Sequence, residues 1–181
     1  MGSISFPKQA IIIGTRPNRK EQLQNCWNSI KSPYLRIAVD CDGYEIGKIK
    51  WVLEHTDFDE FVFLQDSIEI KDNSIFDFCF SYNGGVSLCK YPMLLGCYLG
   101  KYERKALEQM SLPNIKDKSE AVDYESRFAT EYLKYGNLLE VGGSLRDVDN
   151  FVKKWGHKVM KIENEYLIKY KSIWNRNIIC E

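Results

Sequence analysis

The sequence of 181 residues predicts an α/β fold in which helices flank a central, mainly parallel sheet. Three short apolar runs, at residues 10–13, 35–39 and 61–64, each end in polar or acidic residues. The segments between them carry apolar residues at helical spacing. Strands that alternate with helices assemble in parallel through right-handed crossovers. The polar residues after the strands are therefore expected at the carboxyl edge of the sheet, where open α/β sheets bind ligands.

The loop after the first run has the features of an anion site. Residues 15–19 follow the strand and precede a helical pattern, so they are expected at a helix N-terminus. Backbone N–H groups and the guanidinium groups of Arg16 and Arg19 are available there to a phosphate. The glycine spacings of a dinucleotide fingerprint and of a P-loop are absent. Alternatively, both arginines are solvated surface residues.

Acidic residues follow the other two runs. The second run precedes Asp40 and Asp42, and the third precedes Gln65 and Asp66, with a crossover helix expected at about residues 45–54. Asp66 is the first candidate for a site because it would point at the binding crevice. The alternative is that Asp66 caps the following turn, and Asp42 before a glycine is itself a good turn pair.

Five segments together carry a resemblance that spans about residues 8–175. They are IIIGTRPNR, AVDCDG, FVFLQDSIEI, YPMLLGCYLGKYERKAL and DYESRFATEYLKY. They resemble the nucleotide-diphospho-sugar glycosyltransferases of the GT-A fold, in particular the small glycosyltransferase-like proteins found in phages. The resemblance implies one GT-A-like, Rossmann-like domain over residues 1–181. It also implies sugar transfer from a nucleoside-diphosphate sugar, with a UDP-sugar favoured, to a hydroxyl on a glycan or a modified DNA base.

The resemblance further implies a divalent cation, Mn²⁺ or Mg²⁺, held by the DxD carboxylates of that family. A hard cation takes oxygen ligands and neutralises the diphosphate as it leaves. Asp66 stands at the DxD position, but no second Asp follows two residues later. Glu69 can help only if the chain turns after Asp66. Some related enzymes add a C-terminal His, so His157 is a further candidate ligand, although a lone histidine has several competing roles.

The donor-binding residues are also inferred from the resemblance. Thr15 and Arg16 are expected near the nucleotide, and Asp40 near the base or ribose, because a carboxylate can accept the imide N–H of uracil or a ribose hydroxyl. Gln65, at the same strand end as Asp66, completes this set together with Arg19.

The middle of the chain is punctuated by glycines and tyrosines. Resembling enzymes place their acceptor-side loops in this region. The flat faces and hydroxyl groups of Tyr98 and Tyr102 suit sugars or bases. Without the resemblance, the segment is only an aromatic loop with several glycines.

Residues 117–136 predict an amphipathic helix. Its expected apolar stripe comprises Val122, Phe128, Ala129, Tyr132 and Leu133. Acidic residues near its start are favoured by the helix dipole, which is a sufficient structural reason for them. Related inverting enzymes draw their general base from about this position, so the resemblance makes Asp123 and Glu125 candidates to deprotonate the acceptor hydroxyl.

Residues 151–181 carry seven Lys or Arg against three Glu. The simpler interpretation is a solvated basic face. The sharper hypothesis is a lid in which Lys169 and Lys171 lie over the diphosphate and Trp174 shields the site from water.

Composition bears on the partner, the cellular location and the possibility of a membrane span. Twenty-five basic and 25 acidic residues give zero net charge, which does not favour a nucleic-acid partner and does not exclude one. Six cysteines without CxxC spacing favour reduced thiols and a cytoplasmic location, that of the host if the gene belongs to a phage. No run approaches the roughly 20 apolar residues of a membrane span. The oligomeric state stays open.

Two other functions also stay open. A nucleotidyltransferase that activates a sugar phosphate fits a similar sheet, but the chain lacks a glycine-rich, lysine-bearing phosphate loop after the first strand. A non-catalytic nucleotide- or sugar-binding module would explain the incomplete DxD element.

Overall fold

The computed structural model describes residues 8–91, 94–95, 99–143 and 146–172. The strands in this part of the chain are β1 (Gln9–Gly14), β2 (Leu35–Val39), β3 (Glu60–Gln65), β4 (Ile68–Ile70), β5 (Gly85–Ser87), β6 (Lys90–Tyr91), β7 (Leu94–Leu95), β8 (Gly100–Glu103), β9 (Leu138–Glu140), β10 (Arg146–Lys154), β11 (His157–Glu163) and β12 (Leu167–Ser172). The helices are α1 (Lys20–Ser29), α2 (Tyr44–His55), α3 (Ser74–Ser81), α4 (Arg104–Leu107) and α5 (Lys118–Tyr132). No helix within these ranges is long and apolar enough to cross a membrane.

The central sheet has six strands in the order β2-β1-β3-β8-β5-β9. β1 pairs in parallel with β2 and β3, and β5 pairs in parallel with β9. Only β8 runs against its neighbours, β3 and β5. The parallel arrangement predicted for the three apolar runs is therefore confirmed. β1 and β3 are continuous apolar runs because both of their faces are covered.

The two faces of the sheet bury separate apolar clusters. Ile11 and Ile13 of β1 pack on the side of α1 and α3, whereas Ile12 packs on the side of α2 and α5. This division follows from the alternation of side chains along a strand. The layered arrangement leaves the carboxyl ends of β1 and β3 uncovered by either cluster.

The structure corrects part of the apolar stripe that was predicted for helix α5. Val122 and Leu133 are 52% and 48% exposed, so they do not belong to the core. The buried face instead carries Tyr124, Phe128 and Tyr132, which follow one another at intervals of four residues. These rings bury more apolar area than the aliphatic side chains would, which sets the rotation of the helix.

Tyr102 is also a core residue rather than part of an acceptor loop, so that prediction was wrong. Its ring is almost fully buried and meets Phe128 and Tyr132 edge to face, with centroids 5.2 and 5.4 Å apart. Tyr98 lies outside the described residues.

A second sheet of four antiparallel strands, in the order β10-β11-β12-β4, accounts for the described part of the basic segment. β4 belongs to it because the chain turns at Asp66 and Ser67 and leaves the central sheet. The backbone N–H of Tyr170 donates to the carbonyl of Ser67 at 3.0 Å. The end of β3 and the strand β12 therefore lie side by side.

The hydroxyl of Tyr132 gives a test of this core. It accepts a hydrogen bond from the backbone N–H of Glu103 at 3.1 Å. We expect Tyr132→Phe to lower the free energy of unfolding by about 1–2 kcal/mol, because the N–H loses its partner. Urea denaturation measures the change. Tyr135→Phe, at an exposed ring, is the matched control and should stay within about 0.5 kcal/mol. Equal losses in the two variants would contradict this assignment.

Candidate active site

A cleft of about 610 Å³ opens at the carboxyl ends of β1 and β3. Its wall is built by the loop after β1, the start of α2, the turn after β3, the start of α5, and the second sheet. The lining residues are Gly14, Thr15, Arg16, Arg19, Gln22, Tyr44, Glu45, Lys48, Gln65, Asp66, Ser67, Lys118, Ala121, Val122, Glu125, Trp155, Lys169, Tyr170 and Lys171.

Most of the side chains singled out from the sequence meet in this cleft. They are Thr15, Arg16, Arg19, Gln65, Asp66, Glu125, Lys169 and Lys171. Three others do not line it. Asp40 is exposed after β2, Asp123 is exposed and paired with Arg127, and His157 is exposed at the β10–β11 turn opposite Lys154. Trp174 lies outside the described residues. The functional roles of all these residues stay predictions.

Asp66 is a buried carboxylate held by two donors. It is 2% exposed. Its Oδ2 accepts a hydrogen bond from the Thr15 hydroxyl at 3.0 Å, and its Oδ1 accepts one from Arg19 Nη1 at 3.0 Å. Burial raises the pKa of Asp66, and the neighbouring Arg19 and Thr15 oppose this rise without cancelling it. The ionised carboxylate therefore depends on both donors.

Backbone hydrogen bonds fix the loop that supplies these donors. The N–H of Asp66 donates to the carbonyl of Gly14 at 3.0 Å, and the N–H of Thr15 donates to that of Val39 at 3.0 Å. The ends of β2, β1 and β3 are thus tied together. Arg19 occupies the N-cap position of α1, where no side chain caps the first turn.

A divalent cation finds no prepared set of ligands here. In the part of the chain that the structure describes, no group of three or more His, Cys, Asp or Glu side chains could hold a metal ion. Both oxygens of Asp66 are engaged, and a metal ion beside Oδ1 would be repelled by the Arg19 guanidinium. The Mn²⁺ or Mg²⁺ expected from the resemblance stays a prediction, and these residues fit it poorly.

Glu69 does not line the cleft, although the chain turns at Asp66 and Ser67. It accepts hydrogen bonds from Lys154 and, at 2.9 Å, from the hydroxyl of Tyr170. Burial alone would lower the pKa of Lys154, but the hydrogen bond to Glu69 gives a net rise. Glu69 thus links strands of the second sheet through its hydrogen bonds and does not supply a second carboxylate to the cleft.

Lys48 is a site residue that sequence reasoning missed. It is 4% exposed and lines the cleft, and no described carboxylate forms an ion pair with it. Its ammonium donates to the carbonyls of Cys41 and Tyr44 at 3.3 and 3.1 Å. Burial lowers the pKa of Lys48 because the charged form loses hydration. The sequence did indicate that Lys48 is buried, because it lies four residues before Val52 on the face that α2 packs against the sheet.

Gly14 makes room for this lysine. A Cβ atom on Gly14 would lie 2.8 Å from Cδ of Lys48 and 2.8 Å from Cζ of Phe63. Both distances are too short for carbon atoms. The glycine at the end of β1 therefore allows the lysine side chain to cross the strand and reach the cleft.

Arg16 and Tyr44 form a flat surface beside Lys48. The guanidinium carbon of Arg16 lies 4.8 Å from the centre of the Tyr44 ring. Tyr44 has a positive φ of 56°, which is uncommon for a residue with a side chain and marks local strain. Next to this pair, Gln65 donates to Glu45 at 2.7 Å. Planar groups and amide and carboxylate hydrogen-bonding groups thus meet at one end of the cleft.

Trp155 and Tyr170 build the facing wall from the second sheet. Their rings meet edge to face with centroids 5.3 Å apart. Trp155 has a φ of 52° in the turn between β10 and β11, and its buried Nε1 has no hydrogen-bond acceptor among the residues that the structure describes. Buried indole N–H groups usually find an acceptor. Sequence reasoning assigned no role to Trp155, because only the hairpin brings it to the cleft.

Positive charges outnumber negative charges among the described wall residues. The six basic residues are Arg16, Arg19, Lys48, Lys118, Lys169 and Lys171, and the three acidic residues are Glu45, Asp66 and Glu125. Six minus three leaves an excess of three positive charges in a chain whose net charge is zero. Burial also lowers the pKa of Lys171. A cleft of this composition favours a ligand with several negative charges.

The sheet order, the single reversed strand and a cleft at the carboxyl edge define the GT-A glycosyltransferase fold, and the chain has this fold. Solved structures of this class are similar to it. Residues 1–349 of TarS from S. aureus match with a TM-score of 0.53 and 12% identity, over 75% of this chain and 58% of that one. A longer TarS structure matches with a TM-score of 0.54 and 9% identity, over 78% of this chain and 37% of that one.

A197 from STIV matches with a TM-score of 0.50 and 11% identity, over 94% of this chain and 97% of that one. The chain thus spans little more than half of the shorter TarS structure but nearly all of A197. Identities this low establish the fold alone. No family model and no curated protein matches the sequence.

The raised pKa of Asp66 leads to a prediction about pH. Its ordinary value is 3.8, and the folded value is higher, so stability from this group is fully present below the ordinary pKa and is lost as the pH rises through the folded pKa. Asp66→Asn cannot ionise. We therefore expect wild type to lose stability relative to Asp66→Asn as the pH rises from the ordinary pKa of 3.8 through the higher folded pKa.

Urea denaturation of both proteins across this interval measures the difference. Asp123→Asn, at an exposed carboxylate, is the control. A wild type that gains stability relative to Asp66→Asn over the interval would show that the pairing with Arg19 outweighs burial.

Proposed function

We propose that the protein is a glycosyltransferase that moves a sugar from a nucleoside-diphosphate sugar to an acceptor hydroxyl. The observation that carries the proposal is the excess of positive charge in a cleft at the carboxyl edge of a GT-A sheet. A diphosphate is the part of such a donor that this charge recognises. A UDP-sugar remains the favoured donor on the sequence resemblance.

The donor is proposed to lie along the end of β1. Arg16 and Tyr44 offer a flat surface to the base, while Glu45 and Gln65 provide hydrogen-bonding groups beside it. Lys48 and Arg19 face the phosphates. The buried Lys48 ammonium donates to two backbone carbonyls and forms no ion pair with a described carboxylate, so a ligand anion would give it a negative group in direct contact.

Transfer requires a new bond between the acceptor oxygen and the anomeric carbon. The bond from that carbon to the phosphate oxygen breaks, and its electron pair leaves with the nucleoside diphosphate. The acceptor proton passes to a base. Glu125 is the proposed base because it lines the cleft, whereas Asp123 is exposed and paired with Arg127.

The acceptor is proposed to lie against Trp155 and Tyr170. Aromatic faces pack well against the C–H faces of sugars and against bases, so a glycan and a modified DNA base both suit this wall. The acceptor stays within the class of hydroxyl compounds. A cytoplasmic location also stays a prediction, and the four described cysteines, Cys26, Cys41, Cys79 and Cys89, are free thiols.

The lid hypothesis needs a smaller motion than the sequence implied. Lys169 and Lys171 line the cleft, but β12 is hydrogen-bonded to β11 on one side and to β4 on the other. Lifting this strand would break its backbone hydrogen bonds to both β11 and β4. We propose that the lysine side chains, rather than the strand, close over the phosphates.

A thermal-shift panel tests the proposed function. We expect a nucleotide sugar and its nucleoside diphosphate to raise the melting temperature, because ligands that bind only the folded state stabilise it. The unphosphorylated nucleoside should have little effect, since the charged wall would have no partner. Stabilisation only by a nucleoside triphosphate with a sugar phosphate would favour the nucleotidyltransferase. If no ligand of the panel raises the melting temperature, the proposal is overturned.

Two substitutions decide between the candidate bases. We expect Glu125→Gln to lower turnover by about 10²–10⁴-fold with little change in donor affinity, because only proton removal is lost. Asp123→Asn should retain turnover, since its side chain does not reach the cleft. Turnover by both variants is measured with the donor found in the panel. Loss of turnover in Asp123→Asn alone would reverse the assignment.

A further inference from the structure

Arg19 is the cation that contacts the buried carboxylate of Asp66 in the cleft. Its Nη1 lies 3.0 Å from Oδ1 of Asp66, and the side chain lines the cleft and is about one-third exposed. Among the described residues, Asp66 is the only recorded acceptor for its guanidinium. Guanidinium has five N–H donors in a planar fork. The group is thus anchored on one side and keeps donors for a ligand on the other.

The surroundings of Asp66 favour a fixed guanidinium over an exchangeable metal ion. The carboxylate is buried, and removing its positive partner would leave an unpaired buried charge. Its second oxygen is occupied by Thr15 at 3.0 Å. A metal ion would have to displace Arg19 and would find no further acidic, histidine or cysteine cluster in the described ranges.

The start of α1 adds to this arrangement. Arg19 is the N-cap residue of this ten-residue helix, and no side chain caps its first turn. Gln22 of the same turn lines the cleft. Unsatisfied N–H groups and the helix dipole favour an anion at this end. The guanidinium and the helix terminus therefore act on the same region.

We propose that Arg19, anchored by Asp66, is the cation that binds the donor diphosphate, so that this chain binds a diphosphate without a divalent metal. The inference rests on the proposed function and specifies how its leaving group is held. The guanidinium fork matches two phosphate oxygens and stabilises the negative charge that the diphosphate gains when the sugar leaves. Asp66 acts through Arg19 and is a positioning residue.

The test measures binding of inorganic pyrophosphate and UDP by calorimetry, with EDTA or with Mn²⁺. We expect wild type to bind both probes equally well, within about two-fold, under the two conditions. Arg19→Ala should lose at least about ten-fold in affinity with EDTA, since a charged hydrogen bond to phosphate is removed. Mn²⁺ should restore part of that loss, because the variant leaves an oxygen of Asp66 open to the metal.

Matched variants separate this role from general charge and from folding. Lys134→Ala removes a surface cation at the far end of α5, paired with Glu131, and should bind like wild type. Arg19→Lys keeps the charge without the fork and should fall between wild type and Arg19→Ala. Asp66→Asn should weaken binding less than Arg19→Ala, because the guanidinium loses its anchor but remains. Circular dichroism and urea denaturation identify any variant that loses the fold.

Three outcomes would overturn the inference. Wild-type binding that falls at least ten-fold with EDTA would assign the diphosphate to a metal, and the proposed transferase would stand. Unchanged affinity in Arg19→Ala would remove the residue from the site. If neither probe binds under either condition, the inference fails, and the nucleotide-sugar panel then decides whether the transferase fails with it.

Discussion

The cleft depends on the cost of burying one carboxylate. Asp66 ends β3 inside the protein, where an unpaired charge would be strongly unfavourable. Thr15 and Arg19 satisfy it, and both belong to the loop that follows β1. One buried group therefore holds the loop after β1 against the end of β3. The position of the cleft, its opening and much of its charge follow from this contact.

The turn at Asp66 and Ser67 has a second consequence. It sends the chain out of the parallel sheet and into β4, which pairs with β12. This pairing brings Lys169 and Lys171 to the cleft and places Trp155 and Tyr170 opposite the loop after β1. Two walls of different chemistry result. One is rich in hydrogen-bonding and cationic groups, and the other combines the rings of Trp155 and Tyr170 with the ammonium groups of Lys169 and Lys171.

The cleft also shows how charge is placed in a protein with zero net charge. Basic residues from the loop after β1, from α2, from α5 and from β12 converge on one region, although they are distant from one another in sequence. Lys48 is buried, burial lowers its pKa, and it forms no ion pair with a described carboxylate. Lys101, which is 1% exposed, contrasts with it because Glu60 pairs with its ammonium. A buried ammonium that already has an acidic partner is compensated within the protein, whereas one without such an ion pair favours an anionic ligand.

The sequence by itself determined the parallel sheet, its crossovers and the edge at which ligands bind. Apolar periodicity is local, and residues 10–13, 35–39 and 61–64 show it without reference to the rest of the chain. The same reasoning found Thr15, Arg19 and Asp66, because residues that follow parallel strands must share an edge. The rotation of α5 could not be obtained in this way, since it depends on how Tyr124 and Tyr132 pack against the sheet.

Only the tertiary structure decided which distant side chains face one another. It separated Glu125 from Asp123, although the two are neighbours on one helix, because a helix turns successive residues to different sides. It showed that the described basic segment is a sheet, since antiparallel pairing joins residues far apart in sequence. It also brought Lys48 and Trp155 to the cleft, because burial and side-chain direction arise from contacts that a local pattern does not contain.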